Sequence, residues 1–187
     1  MKVTDAIISR RTKRKYTLQG VSRDLLETLV EYARFAPTGA NLQPLKYAII
    51  DGDLAKEVFP LTKWSGYHPE DAPTEAEQPP SYIAILGDNE IKANGQFETD
   101  AGAAGTVICL AAEELGISTC WLGAIKRDEI KKLLELSERY SLLYLIAVGY
   151  SDQKAAFEDA KGDIKYHTDD DVLTVPKRTK DEILIEI

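Results

Sequence analysis

Two clusters of side chains in this sequence have the types and spacing to do chemistry. From Arg10 to Lys15 five of six positions are basic, and the sixth is Thr12. Arginine presents a planar fork of N–H donors that matches phosphate oxygens in pairs, and a threonine hydroxyl adds a further contact. The chain as a whole carries a formal net charge of −8, so this is a local concentration of positive charge and not a reflection of composition. The second cluster is Ala36-Pro37-Thr38-Gly39-Ala40-Asn41-Leu42-Gln43-Pro44. Two prolines stiffen it, Gly39 lets backbone approach a ligand closely, and Asn41 and Gln43 offer amide donors and acceptors. A simple connection needs only a few residues. This one has the length and the polar groups to hold a flat heterocycle with several hydrogen-bonding edges.

The elements that must position these clusters follow from apolar spacing. Val3, Ala6 and Ile7 predict a short helix beginning near Thr4 and running into the basic cluster. Ser22 caps a second helix with a stripe of Leu25, Leu26, Leu29, Val30 and Ala33, closed by Pro37. Buried strands are predicted at Tyr47–Ile50, Ser81–Gly87, Ile117–Ala124 and Leu142–Tyr150, with an amphipathic helix from Asp53 to about Lys63 and another from Arg127 to Ser137. Trp64 to Pro80 lacks periodicity but holds two large aromatics, Trp64 and Tyr67, and reads either as a lid over a site or as a surface excursion whose aromatics pack back on the core. The helix from about Thr99 to Leu115 is built of small residues, including Ala101, Gly102, Ala104 and Gly105, which suits close packing against another helix or a partner subunit. Ser151 to Val175 is polar and acidic and reads as a surface loop or short helix; Ile183–Ile187 reads as a strand that adds to a sheet, of its own or of another subunit.

Bulk properties narrow the function. A chain of 187 residues, 44% hydrophobic and 29% charged, fits one domain spanning residues 1–187 with a proper core. Its acidic balance argues against nucleic acid and against anionic membranes as partners. No apolar run approaches membrane-spanning length and the first residues lack a signal-peptide core, so a cytoplasmic protein is expected. Cys109 and Cys120 form no C-x-x-C pair, and Cys and His are too few for a structural zinc site, so no metal is expected.

Five separated motifs occur in order: Ala6-Ile7-x-x-Arg10-Arg11-Thr12-x-Arg14, the Ala36–Pro44 loop, Asp100-Ala101-Gly102-Ala103-Ala104-Gly105, Leu115-Gly116-Ile117-x-x-Cys120-Trp121-Leu122-Gly123, and Pro176-Lys177-Arg178. In this combination the chain resembles the FMN-dependent nitroreductase family over nearly its whole length. The resemblance implies an α+β, three-layer fold: a mixed, mostly antiparallel sheet with helices on both faces, in an intertwined homodimer with two FMN sites at the interface. It implies that Arg10, Arg11 and Thr12 hold the phosphate and ribityl chain, with Lys177 or Arg178 completing the anion site. Arg14 would stand near the pyrimidine edge of the flavin. Pro37, Thr38, Gly39 and Asn41, with Gln43, would line the ring from the other subunit, and Leu122, Gly123 and Ala124 would lie on its opposite side. NADH or NADPH would reduce the flavin, and a nitroaromatic, quinone or activated alkene would reoxidise it in ping-pong order. The alternative of another class is a flavin-binding carrier or sensor without efficient turnover. Thr12 stands where the family more often has serine, and Leu45 where it often has tryptophan.

Overall fold

Alternation along apolar strands sends successive side chains to opposite faces of a sheet, and here both faces are covered. The computed structural model describes residues 1–64 and 66–187. Strands β1 (Leu45–Asp51), β2 (Ser81–Asp88), β3 (Ser118–Leu122) and β4 (Tyr140–Gly149) form one sheet in the order β1-β2-β4-β3, every neighbouring pair antiparallel. Ile49 pairs with Ile83, and Ile83 with Ile146. On that face Ile83, Ile85, Ile146 and Val148 join a core with helices α2 (Arg23–Ala33) and α4 (Glu98–Glu114). Tyr82, Ala84, Leu86, Leu145 and Ala147 point the other way, to a second core with α3 (Gly52–Val58) and α5 (Arg127–Leu133). The three-layer α+β architecture expected from the resemblance is present.

Local chemistry explains the element ends. Ser22 Oγ accepts the Leu25 N–H at 3.4 Å and starts α2. The helix α1 (Val3–Ser9) packs on α4 and hands the chain to Arg10, whose N–H donates to Ala6 O at 2.9 Å. Beyond it Thr12 makes a single parallel bridge to Thr119, and Lys13 N–H donates to Thr119 O at 3.1 Å. The basic segment is thereby laid along the free edge of β3. After α3 the chain continues as a short 3-10 turn (Phe59–Leu61), so the amphipathic helix expected to reach Lys63 is shorter than its pattern; Pro60 supplies no N–H to extend it.

One expectation fails outright. Ser151–Val175 is not a loop or helix but supplies most of a second sheet, with β5 (Lys154–Asp159), β6 (His167–Asp169) and β7 (Val172–Lys177) in the order β5-β7-β6. β5 and β7 are parallel neighbours, and β5 is mostly exposed, so it carries little apolar alternation to read. Pro176 argues against a central strand, yet β6 pairs only with residues 172–174 of β7, leaving Pro176 beside a free edge where its missing N–H costs nothing. Ile183–Ile187 adds to no sheet within the described residues: α6 (Lys180–Ile183) gives way to irregular, exposed chain. Among the described residues no helix is long and apolar enough to cross a membrane.

Candidate functional site

The bridge to β3 brings Arg10 and Thr12 to a cavity of about 290 Å³ that Thr106 and Cys109 of α4 and Thr119 and Trp121 of β3 complete. Trp121 fits there because Gly105 has no side chain: a β-carbon at that position would fall 2.2 Å from the indole. Tyr144 meets the indole edge-on, with ring centroids 5.3 Å apart. Among the described residues the Arg10 guanidinium has no carboxylate partner, in a chain with an excess of acids. A half-buried cation beside hydroxyls from Thr12, Thr106 and Thr119 is the chemistry of an anion pocket.

Arg11 goes elsewhere. It is 7% exposed, its Nη1 donates to Arg10 O at 2.6 Å, and its guanidinium lies 4.9 Å from the Phe157 ring of β5. Its Nε is buried without a hydrogen-bond partner among the described residues. Burial, then the neighbouring Arg10 charge, lower its pKa, and Glu113 acts in the opposite sense. Arg14 sits with its guanidinium 4.5 Å from the Tyr166 ring while its N–H donates to Gln153 Oε1 at 3.0 Å. The second sheet therefore roofs two of the cations by aromatic contact. Lys177 and Arg178 are exposed at the end of β7, alongside β5.

The Ala36–Pro44 loop forms a different cavity. Ala36, Thr38 and Gln43 line about 180 Å³ with Arg34, Tyr47 and Ala104, while Pro37, Gly39 and Asn41 face outward. Gly39 N–H donates to Asp100 Oδ1 at 2.9 Å, and Pro44 O accepts from Asp88 N–H at 2.8 Å. Asp88 is itself fully buried and gripped by Arg139 at 2.9 and 2.6 Å. Within one chain the loop and the Arg10 pocket are thus separate concavities on either side of α4.

Leu122 is buried, while Gly123 and Ala124 lie exposed at the end of β3 with their carbonyls engaged by Arg127 Nη2 (3.0 Å) and Lys63 N–H (2.9 Å). Trp64, one of the two aromatics expected in a lid, packs down on the second core; its Nε1 donates to Thr62 Oγ1 at 2.8 Å. Tyr67 is exposed and meets Tyr166 at 5.4 Å. Ser65 of the same segment lies outside the described residues. Burial pushes the Cys120 thiol up to about 12 and raises Cys109, so neither is a thiolate near neutral pH. Among the described residues no group of His, Cys, Asp and Glu is arranged to hold a metal. Reading the sequence for site residues passed over Thr106, Thr119, Phe157 and Tyr166. Only Trp121, opposite a glycine in a helix of small residues, carried a signal that could have flagged it.

A layered α+β protein with a cationic, hydroxyl-lined pocket between helix α4 and the sheet edge is the class defined by this geometry. Residues 7–150 match the model of the Nitroreductase family, and the chain belongs to that family. It is 25% identical over 161 residues to a provisionally named NADH dehydrogenase/NAD(P)H nitroreductase from Archaeoglobus fulgidus, covering 82% of this chain and 88% of that protein. A crystal structure of a provisionally named nitroreductase from Desulfovibrio desulfuricans, in complex with FMN, superposes with a TM-score of 0.76 at 24% identity, over 100% of this chain and 97% of that one. An FMN-dependent nitroreductase from Clostridium difficile matches with a TM-score of 0.64 at 25% identity, over 79% and 86%.

Proposed function

We propose that this protein is an FMN-dependent oxidoreductase that passes electrons from NADH or NADPH to a small electrophilic acceptor (a nitroaromatic, quinone or activated alkene) by a ping-pong mechanism. The observation that carries the reading is the Arg10 guanidinium, unpaired among the described residues and set beside the Thr12 hydroxyl in a walled pocket. A phosphate monoester fits such a donor set. The NAD(P)H in the name of the Archaeoglobus relative and the FMN named for the two solved structures support the same cofactor pair.

On this reading Arg10 and Thr12 hold the phosphate, with Arg11 bracing the segment and Lys177 or Arg178 approaching from β7. Pro37, Thr38, Gly39, Asn41 and Gln43 of a second subunit line the ring opposite Leu122, Gly123 and Ala124. Two subunits are needed because loop and pocket do not share one cavity in a single chain. FMN, when bound, supplies the hydride chemistry. Arg14, fixed over Tyr166, keeps a positive charge where reduction would build a negative one, which stabilises the reduced cofactor. On this reading an incoming acceptor meets the exposed Tyr67 and not Trp64, which packs on the second core. Residues 1–187 act as one unit, since the second sheet reaches back over Arg11 and Arg14. Two unpaired thiols and no membrane-length helix among the described residues support work in the cytoplasm.

Purified protein is expected to be yellow, to bleach anaerobically with NADH or NADPH, and to outpace free FMN in NAD(P)H oxidation with menadione or nitrofurazone. Protein that stays colourless after incubation with FMN overturns the assignment. Bound flavin reduced no faster than free FMN marks a carrier or sensor.

A further inference from the structure

Three residues of the Ala36–Pro44 loop, Ala40, Asn41 and Gln43, hold φ at 49°, 53° and 50°. None is glycine, so all occupy the left-handed region that residues with a β-carbon rarely adopt. Such backbone persists only where its surroundings over-determine it. The loop's own bonds converge on two residues: Asn41 N–H donates to Thr38 O at 3.0 Å, Leu42 N–H to Gly39 O at 3.1 Å and Gln43 N–H to Thr38 Oγ1 at 3.1 Å. Whatever fixes Gly39 therefore fixes the run that follows.

Asp100, in the first turn of α4, does this. It is 3% exposed; Oδ1 accepts the Gly39 N–H at 2.9 Å and Oδ2 accepts from Lys92 Nζ at 2.9 Å. Burial works to raise its pKa, but the hydrogen bond from Gly39 and then Lys92 more than reverse that, so the carboxylate stays charged. A buried carboxylate with a neutralising lysine on one oxygen and a loop amide on the other is a costly arrangement to keep for packing alone.

We infer that Asp100 is a positioning residue of the cofactor loop: its carboxylate, neutralised by Lys92, locks the Gly39 N–H and so sets the left-handed run that presents Thr38, Asn41 and Gln43 to the flavin. The inference rests on the FMN reading above and assigns Asp100 no contact with cofactor or substrate.

The test uses the full chain and two readouts, FMN affinity by fluorescence quenching and amide hydrogen exchange of residues 38–43. Loss of a hydrogen bond to a charged group is expected to make Asp100→Ala bind FMN about tenfold more weakly and exchange faster across the loop. Asp100→Asn, which retains an acceptor for Gly39, should stay within about threefold of wild type. If Asp100→Ala does not fold, Gly39→Pro removes the donor itself, its Cδ taking the place of the N–H against Asp100 Oδ1. Thr38, at φ −130° and ψ 151°, already has the extended backbone that a following proline requires. Faster exchange at residues 40–43 is expected there too. Wild-type affinity and exchange in Asp100→Ala, or in Gly39→Pro when the first variant does not fold, overturn the inference. So does an asparagine variant as impaired as alanine. Wild-type protein that takes up no FMN refutes the functional reading instead, and the exchange comparison then decides on Asp100 by itself.

Discussion

Arg10 and Arg11 are neighbours of one type with different work. Arg10 faces the pocket, and its truncation removes a charge-assisted donor. Arg10→Ala is expected to weaken FMN binding by about 1.5–3 kcal/mol while leaving the melting temperature near that of wild type. A fluorescence titration measures the first and a thermal melt the second; unchanged affinity would reject the phosphate assignment. The sequence made the cluster visible because five cations stand together in an acidic chain. It did not separate the members, since charge count says nothing of direction. The bridge of Thr12 to Thr119 does, because extended backbone sends Arg10 and Arg11 to opposite sides. Asp100 was legible only as a motif letter; its bond to Gly39 spans a sequence distance that no local pattern reports.

Helix α4 supplies two glycines with opposite surroundings. A β-carbon on Gly105 would meet Trp121 at 2.2 Å, whereas one on Gly102 would meet nothing within 4 Å of its own chain. Alanine gains about 1 kcal/mol of helix propensity at either position, and forced overpacking costs typically about 1–3 kcal/mol. Gly105→Ala is thus expected to lower stability in a urea melt and to weaken FMN binding by displacing Trp121 from the pocket wall. Gly102→Ala should be neutral or stabilising for an isolated chain. Helices and central strands were readable because their apolar periods differ and their cores are continuous. The second sheet was not, since β5 buries almost nothing and β7 carries a proline next to its end. Its pairing is set by neighbours in space and by aromatic contacts with Arg11 and Arg14.

At the scale of the molecule, large apolar side chains stand exposed on α1 (Val3, Ile7, Ile8), around the end of α2 (Tyr32, Phe35) and along Ile183–Ile187. The homodimer proposed above would cover these side chains. The apolar run Ile183–Ile187 was legible in the sequence, but the surface it covers was not, because no local pattern names a partner surface. Deleting residues 184–187 is expected to shift sedimentation toward monomer and to release flavin in the same experiment, read at protein and flavin wavelengths together. A truncated protein that remains dimeric and yellow would separate the tail from the shared site.

The two sulfhydryls bear on the acceptors proposed above. Quinones and activated alkenes are soft electrophiles that alkylate ionised sulfur. Cys109 and Cys120 are both buried, and burial holds their protons in place. If the proposed acceptors are the right ones, reagents that poison thiol enzymes would meet no ionised sulfur in this chain.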